Sequence, residues 1–245
     1  LKISSSANQE VTFLTTDEDY TSITSDLKVE VTGDSADKTA TAMEAANSGD
    51  KVTNAGTITV NDYAVGMVAG AGAEAVNSVK EDKSAGITVN AGEKEANTAI
   101  GMLAETGATK STTTLTNDGK IAVTKGIGIS VTGDGEAEVT FGEAGIITVD
   151  DDADNIGINI AGTAKTSNTT ITGGTIELKG AGIGINAGGN VTLKDIAITL
   201  SEAATGTGIV YAGGDTEAEA EISTGNIDIK AAGKGIEATM SKAAK

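Results

Sequence analysis

The chain has 245 residues, 33 of them glycine, and it contains no proline, cysteine, histidine, tryptophan or arginine. Aromatic residues make up 2% of the chain and the formal net charge is −18. This composition excludes an aromatic core, disulfides, Cys–His and Ser–His–Asp catalysis, and imidazole metal sites. The negative charge argues against nucleic acid and against an anionic membrane surface as partners, because few side chains could neutralise phosphates.

The first predicted element of each repeat is a three-residue run with an apolar residue at both ends. Strict alternation of apolar and polar residues is typical of a strand with one buried and one solvated face. The middle residues are mostly polar, so a parallel sheet covered by helices on both faces is excluded. The eight copies lie at residues 29–31, 58–60, 87–89, 121–123, 147–149, 176–178, 198–200 and 227–229.

A second run with glycine at its centre follows most copies of the first. If the strand alternates through the glycine, the flanking residues face the core and the glycine faces outward. The glycines then either permit close approach or a bend between neighbouring strands, or form a flat track onto which a partner docks. These runs occupy residues 65–67, 100–102, 127–129, 156–158, 183–185, 207–209 and 234–236, and residues 41–43 take this place in the earliest copy.

A weaker third run completes most repeats, at residues 113–115, 139–141, 169–171, 191–193 and 219–222. Three short strands per repeat, with repeats spaced by 22 to 34 residues, predict an all-β parallel β-helix of about eight coils. We expect residues 1–245 to form a single β-helical segment that adjoins further coils of a longer parent chain at both ends. Ile129 and Ile158 are expected to be fully buried, each stacked on its counterparts in neighbouring coils.

The turn between the first and second runs varies most in length, from three residues to ten. In a β-helix these turns stack along one edge of the rod, and insertions of this kind often form a binding face. We therefore predict that a partner binds at this edge. The candidate residues are the acidic ones of the longer turns: Asp34, Asp37, Glu93, Glu95, Asp150, Asp151, Asp152, Asp154 and Glu202.

Two other kinds of chemistry were weighed for the acidic residues. Residues 150–155 (DDDADN) could gather calcium through carboxylate oxygens, but they lack the spaced D-x-D-x-D-G pattern, so a solvated acidic turn is the preferred interpretation. A glycosidase with two carboxylates could also be built, but Asp and Glu are so abundant that this signal is nonspecific. We predict no catalytic residue, no metal and no cofactor.

The repeats at residues 54–69, 117–131 and 173–187 (NAGTITVNDYAVGMVA, NDGKIAVTKGIGISV and GGTIELKGAGIGINA) resemble passenger repeats of type V autotransporter adhesins. The similarity is greatest to the large outer-membrane adhesins of fusobacteria, and it covers residues 27–240. It implies a right-handed parallel β-helix on the extracellular side of the bacterial surface. It also implies anchoring in the outer membrane through a barrel that is not part of this sequence.

The resemblance further implies adhesion to a host surface receptor protein or to a partner bacterium. A structural stalk segment without a ligand of its own is the alternative function, and a polysaccharide-active β-helix enzyme is the third. Long acidic turns favour binding over a stalk, because a plain stalk needs only short turns. We expect no nucleic acid partner and no insertion of this segment into a membrane.

Overall fold

The computed structural model describes residues 1–6, 9–36, 39–80, 83–84, 86–92, 98–107, 111–161, 168–213, 220–222, 225–230 and 232–240. These residues form 28 strands, numbered β1 to β28 in chain order, which build three long parallel sheets and one short hairpin. No α-helix is present among them. The described part of the chain accordingly has no helix that is long and apolar enough to span a membrane.

Each of the three sheets runs along the rod with its strands in chain order. The first sheet contains β1 (Lys2–Ser4), β4 (Lys28–Gly33), β7 (Thr57–Asp62), β12 (Gly86–Asn90), β15 (Lys120–Lys125), β18 (Ile146–Val149), β21 (Thr175–Leu178), β24 (Ile196–Leu200) and β27 (Gly225–Ile229). The second contains β2 (Val11–Thr15), β5 (Ala40–Ala45), β8 (Ala64–Ala69), β13 (Ile100–Thr106), β16 (Ile127–Gly133), β19 (Ile156–Ile160), β22 (Ile183–Ala187), β25 (Thr207–Gly213) and β28 (Lys234–Met240). The third contains β3 (Ser22–Ser25), β6 (Lys51–Asn54), β9 (Glu74–Asn77), β14 (Thr113–Asn117), β17 (Glu136–Phe141), β20 (Asn168–Thr172), β23 (Asn190–Lys194) and β26 (Ala220–Ile222).

The chain passes through the first, second and third sheets in turn, so each circuit is one coil of a right-handed parallel β-helix. This confirms the predicted fold class. The first and second sheets have nine strands each, and coils are numbered 1 to 9 from the N-terminus. Coil 1, β1 to β3, has no counterpart in the predicted repeats. Its second-sheet strand carries Phe13 where coil 2 has Ala42 and later coils have glycine, and its short strand β1 places Ile3 opposite Val31.

The first sheet has the predicted register throughout. Ile58 pairs with Val29 on one side and with Ile87 on the other, and Val60 pairs with Val31 and Val89. In coils 2 to 8 the apolar ends of each run are buried in the core, and the middle residues lie on the opposite, outer face of the strand. Complete burial of one such Ile or Val stabilises the fold by roughly 1.5–3 kcal/mol relative to exposure, so these two columns are a large part of the stability.

The glycines at the centre of the second run face the interior, so the prediction that they face outward is wrong. A Cβ built on Gly66 would lie 2.5 Å from the carbonyl oxygen of Gly101 and 3.1 Å from Cγ2 of Val60 in the core. From Gly66 to Gly208 the carbonyl of the next coil lies 2.5 to 2.7 Å from the Cβ position. Close backbone approach is therefore the reason for glycine. These glycines are buried, so an exposed docking track is also wrong.

The residues on either side of each glycine differ in their surroundings. Ile129 and Ile158, which follow Gly128 and Gly157, are fully buried in the core, as predicted. Ile127, which precedes Gly128, is outside the core cluster and lies on the outer side of the sheet. The strand alternation is thus broken at the glycine, because the glycine and the residue after it both face inward.

In the third sheet, the predicted copy at residues 139–141 is displaced by two residues from the strand pairing that the structure shows. Val139 pairs with Leu115 and with Ile171, so the predicted copy begins two residues too late. The copy should have begun at Ala137. This small residue is buried and pairs with Thr113 and Thr169 of the neighbouring coils. Alanine gave too weak an apolar signal to align this strand.

Three buried asparagines of the third sheet form a hydrogen-bonded ladder through coils 2, 3 and 4. Nδ2 of Asn54 donates to Oδ1 of Asn77 at 2.9 Å, and Nδ2 of Asn77 donates to Oδ1 of Asn117 at 2.7 Å. The ladder begins at the backbone N–H of Gly56, which donates to Oδ1 of Asn54 at 3.0 Å. Among the described residues Nδ2 of Asn117 has no hydrogen-bond partner, because Phe141 occupies the next position of the column.

Candidate functional site

The predicted site lies at the first corner, defined as the connections from first-sheet to second-sheet strands. Tyr63 alone connects β7 to β8, whereas residues 91–99 connect β12 to β13. Other first corners, such as 150–155 and 201–206, have intermediate lengths. The ladders on both sides continue through these corners, with one register shift at the Val89/Asn90 step. The first corners therefore differ in length without interrupting the strand pairing on either side.

The other two corners vary less. The second corner, from second-sheet to third-sheet strands, ranges from residues 134–135 to residues 161–167. The third corner closes with as few as one residue, Asp195, and its longest example carries the antiparallel hairpin of β10 (Val79–Lys80) and β11 (Lys83–Ser84). The first corner, at one to nine residues, has the widest range, and the third corner, at one to eight, is next.

Three of the four carboxylates in the acidic turn at residues 150–155 contact other residues of the rod. Oδ1 of Asp151 accepts the backbone N–H of Ala181 in the next coil at 3.1 Å. Asp150 forms an ion pair with Nζ of Lys179 in that same coil, at 3.4 Å. Oδ1 of Asp152 accepts the N–H of Asp154 at 3.0 Å within its own turn. Asp150 and Asp151 therefore link stacked turns, and Asp152 stabilises its own turn.

Asn155 ends this turn and ties it to the preceding coil. Its side chain is buried, with Oδ1 accepting the N–H of Gly126 at 2.9 Å and Nδ2 donating to the carbonyl of Thr124 at 3.0 Å. Among the described residues no group of three or more His, Cys, Asp or Glu side chains is arranged to hold a metal ion. Hydrogen bonds therefore tie residues 150–155 to the coils on both sides.

The remaining predicted residues share the edge but do not meet at one point. Asp34 is exposed in coil 2, with its backbone N–H donating to Oγ of Ser5 at 2.8 Å. Asp154 is exposed in coil 6 and Glu202 in coil 8. With coils about 4.8 Å apart, they are separated along the axis by roughly 19 Å and 10 Å. Asp37, Glu93 and Glu95 lie outside the described residues.

An apolar column runs beside the first corner on the outer side of the second sheet. We call it the outer aliphatic column; it consists of one residue from each of coils 3 to 7, stacked in register over about 19 Å. Its members are β-branched and lie outside the core cluster; Val65 and Ile127 are buried, and the other three are half-buried. They are Val65, Ile100, Ile127, Ile156 and Ile183.

The outer aliphatic column was missed in the sequence because these residues were assigned to the core. The signal that could have identified them is their position directly before a glycine. That glycine faces the core, where a side chain would collide with the carbonyl of the next coil. A second outer column follows it three residues later, with Val68 and Leu103 beside each other. Further along this second column Nδ2 of Asn186 donates to Oδ1 of Asn159 at 2.8 Å.

Two carboxyl groups near the second corner have shifted pKa values. The pKa of Glu105 is raised, first by burial and then by the negative charge of Glu44. The pKa of Asp50 is lowered, chiefly by the hydroxyl of Thr16, which donates to Oδ2 at 2.6 Å, and also by Asn47; these hydrogen bonds outweigh desolvation. Neither residue was singled out in the sequence, because neither lies in a recognisable motif.

These features define a β-helical repeat protein with a variable edge and an aliphatic column beside it. Comparison of the chain with protein-family models, with curated proteins and with solved structures finds no match. We therefore infer its function from the surface of the rod.

Proposed function

We propose that this chain is a segment of a bacterial surface adhesin that binds a protein through the first corner and the outer aliphatic column. The observation that carries the proposal is the length of the first corner, which varies from one residue to nine while the ladders remain continuous. A scaffold that is constant beside a variable edge is the usual arrangement of binding surfaces on repeat proteins.

The chemistry of this surface indicates the kind of partner. The half-buried members of the aliphatic column, Ile100, Ile156 and Ile183, offer an apolar contact. The exposed carboxylates of Asp34, Asp154 and Glu202 lie at the first corner of coils 2, 6 and 8. A protein with an apolar patch rimmed by lysine or arginine would be complementary. Its association would be steered by charge and would slow as salt rises. A host surface receptor protein or a surface protein of another bacterium fits this description.

The proposed location is the extracellular side of the bacterial surface. The resemblance to autotransporter passengers supports it, and so does a sequence without cysteine. We also propose that the chain is not an enzyme and needs no cofactor. A polysaccharide-active enzyme would need two carboxyl groups flanking one glycosidic bond. Glu44 and Glu105 are the pair to test for it, by measuring release of reducing ends from polyuronate and neutral glycans.

A stalk segment without its own ligand is the second candidate function. The observation in its favour is that Asp150, Asp151 and Asp152 form contacts within the rod, which suits a turn selected for stacking. A stalk and an adhesin differ in one measurable respect, since only the adhesin retains affinity for a cell surface when separated from the rest of a larger protein.

The experiment is flow cytometry with fluorescently labelled chain on cultured epithelial cells and on cells of other bacterial species. The test variant is Ile156→Lys, in the outer aliphatic column of coil 6. Its matched control is Thr170→Lys, on the outer side of the third sheet in the same coil. We expect binding that falls at least about tenfold for Ile156→Lys, because a lysine there disrupts the apolar contact, and is unchanged for Thr170→Lys.

Salt provides the second readout. Binding of the parent should weaken between low and physiological salt, and a variant with Asp154→Asn and Glu202→Gln should show a smaller change. A chain that stains none of these cells would favour the stalk. Equal losses for Ile156→Lys and Thr170→Lys would place the binding surface elsewhere on the rod.

A further inference from the structure

Two stacked asparagines of the third sheet share a motif that no other asparagine of the chain has. Asn168 and Asn190 are each followed two residues later by a threonine, Thr170 and Thr192, so they form the two N-x-[ST] sequences of the chain. Asn168 pairs with Asn190 in neighbouring coils, and Thr170 pairs with Thr192. We propose that Asn168 and Asn190 are acceptor sites for N-linked glycosylation, each receiving one hexose from a nucleotide-activated donor.

The strands hold both motifs on the outer face of the rod. Residues two apart on a strand lie on the same face, so each asparagine shares its face with the threonine of its own motif. The intervening residues, Thr169 and Val191, are buried. Asn168 is exposed, and Asn190 and the two threonines are half-buried. A transferase can therefore reach the amide and the hydroxyl of one motif from the same side, and an attached sugar would project into solvent.

Asn159 and Asn186 provide a comparison within the same two coils. They are stacked on the outer side of the second sheet, and Nδ2 of Asn186 donates to Oδ1 of Asn159 at 2.8 Å. Two residues later the chain has Ala161 and Gly188, so neither asparagine is followed by the hydroxyl that the motif requires. The chain thus contains one outward asparagine pair with the acceptor motif and one without it.

Glycosylation would form a bond between Nδ2 of the asparagine and the anomeric carbon of the hexose. The bond from that carbon to the nucleoside diphosphate breaks, and its electron pair leaves with the diphosphate. The amide nitrogen loses one proton, which a base of the transferase accepts, so no atom is oxidised or reduced. This chain supplies only the acceptor; the transferase and the nucleotide-activated hexose are supplied by the cell.

The charges beside the two motifs favour a neutral sugar. Glu136 of the preceding coil pairs with Asn168, and Glu221 of the following coil pairs with Thr192; both glutamates are exposed. Sugar hydroxyls can donate hydrogen bonds to these carboxylates. An acidic sugar would instead add a like charge to a chain whose net charge is already −18. The hexose is therefore expected to be uncharged.

The third sheet does not border the first corner, which connects the first and second sheets. Sugars on Asn168 and Asn190 would therefore leave the proposed binding surface uncovered. The acceptor sites also do not require that the rod binds a partner, so the two proposals can fail separately.

The test is transfer of glucose to the purified, folded full chain by a soluble bacterial asparagine glycosyltransferase that uses UDP-glucose. Intact-mass measurement would count the added hexoses, and peptide mapping would locate them. The parent should carry glucose on Asn168 and Asn190, with more on Asn168 because that residue is more exposed. Asn168→Gln should lose the hexose at that position, and the double variant with Asn190→Gln should gain none. The matched control, Asn159→Gln with Asn186→Gln, should gain as much as the parent.

Two threonine variants separate recognition of the motif from exposure of the asparagine. Thr170→Val keeps Asn168 but removes the hydroxyl of its motif, so glucose at Asn168 should fall at least about tenfold. Thr172→Val, two residues further along the same outer face, should have no effect. Circular dichroism and thermal melting would establish that every variant is folded and that the modified parent melts like the unmodified chain.

The proposal is overturned if the folded parent takes up no glucose, if the glucose lies on asparagines outside the two motifs, or if Thr170→Val is modified as fully as the parent. It is also overturned if the modified chain melts well below the unmodified one, because the attached sugars would then disturb the core.

Discussion

Replacing Asn77 with alanine would test the asparagine ladder of the third sheet. The substitution removes two buried hydrogen bonds and leaves Nδ2 of Asn54 and Oδ1 of Asn117 without partners. Each buried polar group left unpaired costs about 1–3 kcal/mol, so the expected loss is about 2–6 kcal/mol. For a chain of this length that corresponds to a melting temperature lower by roughly 5–20 °C.

Thermal melting followed by circular dichroism would measure the effect. The matched control is Asn61→Ala, because Asn61 is half-buried on the outside of the rod and its two side-chain hydrogen bonds, to Glu30 and Thr32, are both 3.4 Å long. The control should lose less than about 1 kcal/mol. If the two variants melt within 2 °C of each other, taken as about 1 kcal/mol, the ladder is not a stabilising element.

A triple substitution separates unpaired polar groups from lost packing. Changing Asn54, Asn77 and Asn117 together to leucine removes the ladder and leaves one group, the backbone N–H of Gly56, without its side-chain acceptor. Replacing both partners of a buried hydrogen bond by apolar groups can be nearly neutral, whereas replacing one is costly. The triple variant should therefore melt above the single Asn77→Leu variant, and the reverse order would refute the reasoning.

Four further substitutions test other parts of the rod by thermal melting. Gly128→Ala should destabilise by about 1–3 kcal/mol, because its methyl group would lie 2.6 Å from the next coil's carbonyl oxygen. Gly235→Ala, at the same position in the last coil, would meet only a side-chain atom at 3.1 Å and should cost less; equal losses would contradict the close-approach explanation. Glu105→Gln should raise the melting temperature at pH 7 more than at pH 4, because its raised pKa means that ionisation opposes folding; an equal rise at both would argue against it. Asp50→Asn should lower the melting temperature more at pH 7 than at pH 3, because a lowered pKa stabilises the fold only above the ordinary range of a carboxyl; a pH-independent loss would count against this.

The first sheet could be predicted from sequence because its strands obey one simple rule. Each run has Ile, Val or Leu at both ends, and the residues aligned by this pattern, such as Ile87 and Ile121, are paired in the structure. The number of coils was underestimated because coil 1 follows the rule in only part of its length. Its Phe13 stands at the position that glycine or alanine holds elsewhere, so the repeat could not be recognised.

The sequence did not show which residues of the second-sheet strands face the core, because strict alternation was assumed to continue through glycine. The structure interrupts it: Gly101 and Met102 both face the core and Ile100 lies outside the core cluster. Glycine has no side chain to reveal which way it faces, so the pattern was equally consistent with either orientation. The outer aliphatic column was misassigned for this reason.

The buried asparagine ladder could not be recognised from sequence, because its residues have the pattern of turn residues. Asn54 and Asn117 each stand two residues before a glycine, which is a common turn signal. Asn155 shows the same ambiguity, since it ends an acidic turn yet is completely buried. A polar residue whose partner belongs to another coil, 23 to 40 residues away, carries no local sign of that contact.

The direction of the inter-coil hydrogen bonds has a mechanical consequence. Neighbouring strands in every sheet belong to successive coils, so their hydrogen bonds run along the axis of the rod. Tension along the axis would pull these bonds lengthwise, and the least stable coil would yield first. The coil that separates Ile58 from its partner Ile87 contains 29 residues, which extend to roughly 100 Å, whereas its loss shortens the rod by only about 5 Å. Such a rod would act as a tether that absorbs load by unwinding one coil at a time while the coils behind it remain folded.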